Sequence, residues 1–191
     1  MRKMKHLKTM FRESLEELKD SRTLVVVAML LASAVVLMIF GTVQLTEFLK
    51  VGFSFLPNEL AAMLFGPAVG GIVAGTADIL KYLAKPVGAF FPGFTISAIL
   101  GGMIYGIILY KKPLSVKRII AAKVIVALFI NSFLNTAWLM LMYGNSFFAM
   151  LPVRILKQIL MVPLETILFY LVVKTLSKAH VFAMIKSKRQ K

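Results

Sequence analysis

The sequence predicts an all-α membrane protein of six transmembrane helices with both termini in the cytoplasm, and three observations carry that prediction. Of the 191 residues, 59% are hydrophobic and only 16% charged, with a mean hydropathy of +0.84, far more apolar than an average soluble domain. The formal charge is nonetheless +15, and the basic residues gather at the ends, with seven Lys/Arg in residues 1–22 and six in 174–191. Between those ends the apolar stretches fall into runs, most of them close to the ~20 residues that a bilayer crossing needs.

The organisation follows the charge. Residues 1–22 form a polar, basic segment with amphipathic character, residues 23–178 a membrane domain, and residues 179–191 a basic tail. A helix on the cytoplasmic membrane surface and a solvated charged tail both fit the first segment. The apolar run that begins at Thr23 has no small-residue cleavage pattern after it, so it reads as a retained first span and not as a signal peptide.

The spans are 23–41, a short one at about 57–66, a Gly- and Ala-rich one at 67–84, then 93–110 after FFPG, 118–143 and 150–176. With six crossings, the N-terminal segment, the loop holding Lys111, Lys112, Lys117 and Arg118, and the C-terminal tail all lie on one side. Excess Lys/Arg marks that side as cytoplasmic. The opposite loops, 42–56, 85–92 and 144–149, contain only Lys50 and Lys85. The first of these is long enough to act as a lid.

Charges inside the apolar runs are the most informative residues, because an ionisable group in hydrocarbon is kept only where it faces protein, water or a ligand. Arg154 and Lys157 follow Pro152 at what reads as the outer start of the sixth helix, where the helix end is already electropositive and two cations call for an anion. Lys81 and Lys85 lie near the outer end of the third helix. Snorkelling to the headgroups and contact with a ligand both account for them. Asp78 and Glu165 are the intramembrane acids; Asp78 and Lys81, three residues apart, read as an ion pair, and Glu59 as a helix N-terminal charge.

Asn131, Asn135, Trp138 and Met142 lie on one face of the fifth helix, with Tyr143 at its outer interface. Interhelical hydrogen bonding with an aromatic belt and a binding wall both fit this face. As a wall, the amides offer hydrogen bonds to a heterocycle edge and the indole a stacking surface. Phe90, Phe91 and Phe94 cluster at the turn that feeds the fourth helix, as membrane anchors or pocket lining. Aromatics, amides and two cations together suit a flat hydrogen-bonding ring with an anionic tail, such as a pteridine carrying a glutamate, or another aromatic acid.

Catalytic patterns are missing: the sequence has no Walker A run, no GxSxG and no HExxH, so the chain reads as a non-enzyme that does not hydrolyse ATP itself. It has no Cys, and no His- or carboxylate-rich cluster suggests a metal site. No inverted repeat marks a stand-alone secondary transporter. Small-residue strips, Ala28 and Ala32 on the first helix and Gly70, Gly71, Ala74, Gly75 and Ala77 on the third, permit close helix approach within the chain or to a partner.

Three stretches carry a family resemblance: FGPAVGGIVAGTAD (Phe65 to Asp78), KP-x-G-x-FFPGFT from Lys85, and LP-x-R-x-x-K-x-x-x-x-x-P-x-E from Leu151. They resemble the substrate-binding S components of energy-coupling factor vitamin transporters, and the last two look closest to the folate-specific branch. The resemblance covers roughly residues 51–170. It implies six helices with cytoplasmic termini in the plasma membrane, and an outward pocket on helices four to six closed by the loop between helices one and two. The ligand would be folate or a reduced folate, with no further cofactor and no nucleic acid. Arg154 and Lys157 would meet the glutamate carboxylates or the ring carbonyl, and Asn135 would bond the ring. Trp138, Phe90 and Phe94 would wall it, with Lys81 and Tyr143 alongside. Ala28 and Ala32 would contact a transmembrane coupling subunit that works with two cytosolic ATPases, and the S component would topple in the membrane. The alternatives are an S component for another vitamin or aromatic acid, and a structural membrane protein whose cations pair with Asp78 and Glu165.

Overall fold

The structure, a computed structural model, describes residues 2–44, 50–86, 89–144 and 147–178. The basic tail 179–191 and the middle of the expected lid, 45–49, lie outside the described residues. The chain is almost entirely helical: α1 (Arg2–Glu17), α2 (Ser21–Ile39), α3 (Phe55–Phe65), α4 (Pro67–Ala84), α5 (Pro92–Leu109), α6 (Val116–Ile125), α7 (Asn135–Tyr143) and α8 (Phe147–Lys178). A π-helical segment, Val126–Leu134, joins α6 to α7 in one continuous rod. Between α2 and α3 the sequence predicts a loop; the structure has a short antiparallel hairpin, β1 (Thr42–Gln44) with β2 (Lys50–Gly52), in the register Val43 opposite Val51.

Four segments are long and apolar enough to cross a membrane: Ser21–Ile39, Pro92–Leu109, Val116–Tyr143 and Leu151–Lys178. The other two expected spans also form helices. α3 has eleven residues, about 16 Å of helix, and α4 carries Asp78 and Lys81 in its second half. The bundle wears its hydrophobicity outward as well as inward. Along α8, Val153, Leu156, Leu160, Leu164, Ile167 and Leu171 are exposed on one helical face while Met161, Phe169 and Val173 are buried. A helix apolar on both sides is solvated by lipid.

Local chemistry fixes the turns. Asp20 caps α2, its carboxylate accepting from the Arg22 amide at 3.3 Å. Gly66, with φ of 91°, breaks α3 from α4, and Pro67 opens α4. Glycine has no side chain to cap α4, and Ser14 of α1 takes that role from a distance. Its hydroxyl donates to the Phe65 carbonyl at 2.6 Å and accepts from the Val69 amide at 3.1 Å. A Cβ on Gly66 would lie 2.9 Å from Ser14. α1 is thus seated on the bundle, with Met10 and Ser14 buried. Glu17 accepts from the Tyr110 hydroxyl at 3.1 Å, and Glu13 pairs with Lys111 at 2.7 Å. That hydrogen bond to Glu13 holds the Lys111 ammonium above the ordinary lysine range.

One core cluster packs Val27 of α2 against Ala61, Phe65, Val69 and Val73; a second joins Leu60, Leu109, Ile119, Phe169 and Val173. Between α4 and α5 the backbones touch. A Cβ on Gly102 would sit 2.2 Å from the Gly70 carbonyl oxygen, whereas one on Gly101 would meet nothing nearer than 3.7 Å. Gly102→Ala is therefore expected to destabilise the protein by about 3 kcal/mol, because backbone cannot move aside as a side chain can. Gly101→Ala is expected to leave stability within about 1 kcal/mol. Melting of the two purified variants in the same detergent checks the contrast, and equal melting temperatures refute it.

Candidate functional site

A cavity of about 410 Å³ opens between α3, α4, α5, the π-helical segment, α7 and α8. Its floor is ionic. Lys123 of α6, with a side chain 1% exposed, reaches Glu59 of α3 at 2.5 Å and Glu165 of α8 at 2.8 Å, and its ammonium lies 3.9 Å from the Phe55 ring centre. Glu59, Glu165 and Tyr105 line the cavity above it. Burying a charge is tolerable only with paired, hydrogen-bonded partners, and here one cation is shared by two carboxylates.

Several buried polar atoms at the cavity have no hydrogen-bond partner: Asn58 Oδ1, Glu59 Oε2 and Asn135 Oδ1. Buried polar groups are nearly always satisfied, so three acceptors left open around one hollow mark it as a ligand site.

The π-helical segment shapes the opposite wall. The Asn135 amide donates to the Ile130 carbonyl, five residues back, instead of to Asn131 four residues back. The Asn131 carbonyl instead accepts from Arg154 Nη1 at 3.2 Å. π-Helical insertions recur at functional sites; this nine-residue segment and the α7 start that follows it bring Asn131 and Asn135 to the cavity and give Arg154 a backbone anchor.

At the mouth, Trp138 Nε1 donates to Ser97 Oγ at 3.0 Å, and its ring lies 5.7 Å from that of Phe91, which meets Phe94 edge-on at 6.0 Å. A Cβ on Gly93 would lie within 2.7 Å of Trp138 and 2.4 Å of Phe91, so the turn must be glycine for the aromatics to close over it.

Of the residues the sequence singled out, Asn135 and Phe94 line the cavity. Trp138 joins it through Ser97, and Arg154 through Asn131. Lys157 lies one turn beyond Arg154 on α8, half-buried. Phe90 turns away to pair with Tyr82 at 5.1 Å and is 45% exposed, and Tyr143 is also exposed. Ala28 and Ala32 are exposed on α2, facing off the bundle.

Three expectations need correction. Arg154 and Lys157 do not begin a helix: α8 starts at Phe147 and runs through Pro152, so the charge of a helix start is not what they sense. Asp78 and Lys81 do not pair; Asp78 accepts from Thr95 at 2.8 Å while Lys81 donates to Ser54 at 3.1 Å. Glu59 is not a helix-end charge but the partner of Lys123. Lys123 itself escaped notice, though a lysine isolated in IIAAKVIVALF, with lone glutamates in two other apolar runs, was a signal that they should meet.

The fold and cavity define a class, a helical membrane protein that holds a small molecule within its bundle. The comparisons with known proteins are specific. Residues 22–173 match the family model for the ECF transporter substrate-specific component, so α1 lies outside the matched segment. The chain is 35% identical over 153 residues to the folate transporter FolT of Clostridium novyi (strain NT), covering 80% of this chain and 88% of that protein. It is 33% identical over 159 residues to the FolT of Leuconostoc mesenteroides, covering 79% and 84%. Among solved structures, FolT bound with folic acid superposes with a TM-score of 0.72 at 37% identity, covering 80% of this chain and 93% of that one. This chain belongs to the ECF transporter substrate-specific component family.

The ion cluster makes a stability prediction. Lys123→Met should destabilise the protein by roughly 3–5 kcal/mol, because it strands two buried carboxylates. Adding Glu59→Gln and Glu165→Gln to it should restore most of the loss. Thermal melts of the single and triple variants decide: a triple variant no more stable than Lys123→Met would mean that the carboxylates are not uncompensated charges.

Proposed function

We propose that this chain is the folate-binding S component of an ECF-type importer. The observation that carries the reading is the cavity with three open acceptors, in a chain that resembles folate transporters along most of its length. Folate or a reduced folate enters from outside, its ring in the cavity beside Asn135 and Phe94 under the Trp138–Phe91 pair. Its carboxylates remain near Arg154 and Lys157, with Lys81, Phe90 and Tyr143 around the mouth. The segment between α2 and α3 would cover the opening.

In this reading the chain crosses the plasma membrane six times with both termini in the cytoplasm, as the basic loops favour. The exposed Ala28 and Ala32 offer a flat contact for a transmembrane coupling subunit, and two cytosolic ATPases supply the energy. Because the chain has no cysteine, single cysteines report topology cleanly. Lys112→Cys and Ser187→Cys should resist a membrane-impermeant maleimide in intact cells, while Asn145→Cys should react. The opposite pattern would invert the protein.

Binding is tested on the purified protein in detergent, without partners. Labelled folate should bind saturably, and Arg154→Ala should weaken it about tenfold or more, since a hydrogen bond to a charged group contributes roughly 1.5–3 kcal/mol. Unchanged affinity in a folded Arg154→Ala protein removes that residue from the site, and no saturable binding by the unsubstituted protein removes folate as the ligand.

A further inference from the structure

Resting on the folate reading, we propose that Glu59 determines specificity: its free carboxylate oxygen accepts N–H hydrogen bonds from the 2-amino edge of the ligand ring. The ring therefore enters first, and the anionic tail stays at the mouth.

Geometry separates the two oxygens of Glu59. Oε1 is held by Lys123 at 2.5 Å, while Oε2 is buried and without a hydrogen-bond partner. The Tyr105 hydroxyl interacts with the carboxylate but leaves Oε2 open. The side chain is 4% exposed, and Glu59 lines the cavity. An ionised carboxylate can only accept, so whatever completes this site must bring donors. Asn58 Oδ1 and Asn135 Oδ1 are open beside it. Because an amide can present either end, the acceptor character of the floor rests on Glu59.

Charge points the same way. Lys123 is already engaged by Glu59 and Glu165, so the floor offers no free cation to a further anion. Arg154, by contrast, meets a neutral backbone carbonyl on the opposite wall, so a cation without a carboxylate partner lies there and not at the floor. A ligand with N–H donors at one end and carboxylates at the other has one favourable orientation in such a field. A 2-amino-4-oxo pteridine ring presents an amino group beside a ring N–H, two donors on one edge. Lys123 positions the acceptor and does not itself touch the ligand.

The test uses the intact chain in detergent with three probes: folic acid, its analogue with hydrogen in place of the 2-amino group, and p-aminobenzoylglutamate, which keeps the tail without the ring. The unsubstituted protein should prefer folic acid to the desamino analogue by about 100-fold, the upper end of what hydrogen bonds to a charged acceptor supply. p-Aminobenzoylglutamate should compete at least as weakly as the desamino analogue. In Glu59→Gln, folic acid should bind about 100-fold more weakly and the preference should fall below about tenfold. A merely structural Glu59 would lower the melting temperature of the variant but leave the preference intact, and that result overturns the proposal. If Glu59→Gln does not fold, the analogue comparison on the unsubstituted protein decides alone, and equal affinities overturn the assignment. A protein that binds folic acid without discriminating defeats only the role of Glu59; one that does not bind folic acid at all defeats the folate reading beneath it.

Discussion

The pairing of Lys123 with Glu59 and Glu165 is the constraint on which the rest of the cavity depends. In an apolar surround an ion cannot be left alone, so α3, α6 and α8 must approach until the three side chains touch at 2.5 and 2.8 Å. Those contacts join residues 64 and 42 positions apart in the chain and hold open the hollow above them. A hydrophobic floor would favour collapse. An ionic one defines a fixed polar surface, and the Phe55 ring, which also lines the cavity, adds a cation–π contact to the ammonium.

Close backbone packing supplies the counterpart. α4 and α5 meet through Gly70 and Gly102 without side chains between them, which lipid-embedded helices use where water gives no drive to associate. The α3–α4 turn at Gly66 is fastened by Ser14 from outside the matched family segment. One end of the bundle is thus tied together, while the aromatic turn of Phe91, Gly93 and Phe94 stands with Trp138 at the other side of the cavity.

The apolar runs, the Pro and Gly breaks and the inward amides were legible because each is a local pattern: Pro67 and Pro92 mark helix starts as they stand in the sequence. The ion cluster was not, since nothing near Glu59 names Lys123 as its partner. The π-helical segment was equally hidden, for VALFINSFL reads as ordinary helix, and the bond that Arg154 makes to its Asn131 carbonyl joins residues 23 positions apart. Pro152 misled, because a proline usually opens a helix, whereas α8 begins five residues earlier. The hairpin was foreshadowed by alternation in VQLTEFLKVGFSF, but so short a pairing is fixed by its ends: the Phe53 amide bonds the Gly41 carbonyl at 3.3 Å and brings the two strands together.

The π-helical segment also acts as a phase shifter. Each residue added to a helix turns everything beyond it by about 100°, so the five-residue closures between Val126 and Leu134 set the angular offset between the two halves of the rod. The half that carries Lys123 is indexed to the ionic floor, and the half that carries Trp138 is indexed to the mouth. Lengthening or shortening that stretch by one residue would present a different wall to a ligand while the floor stayed where it is. A family that keeps one scaffold has there a way to change the shape of its opening without rebuilding its interior.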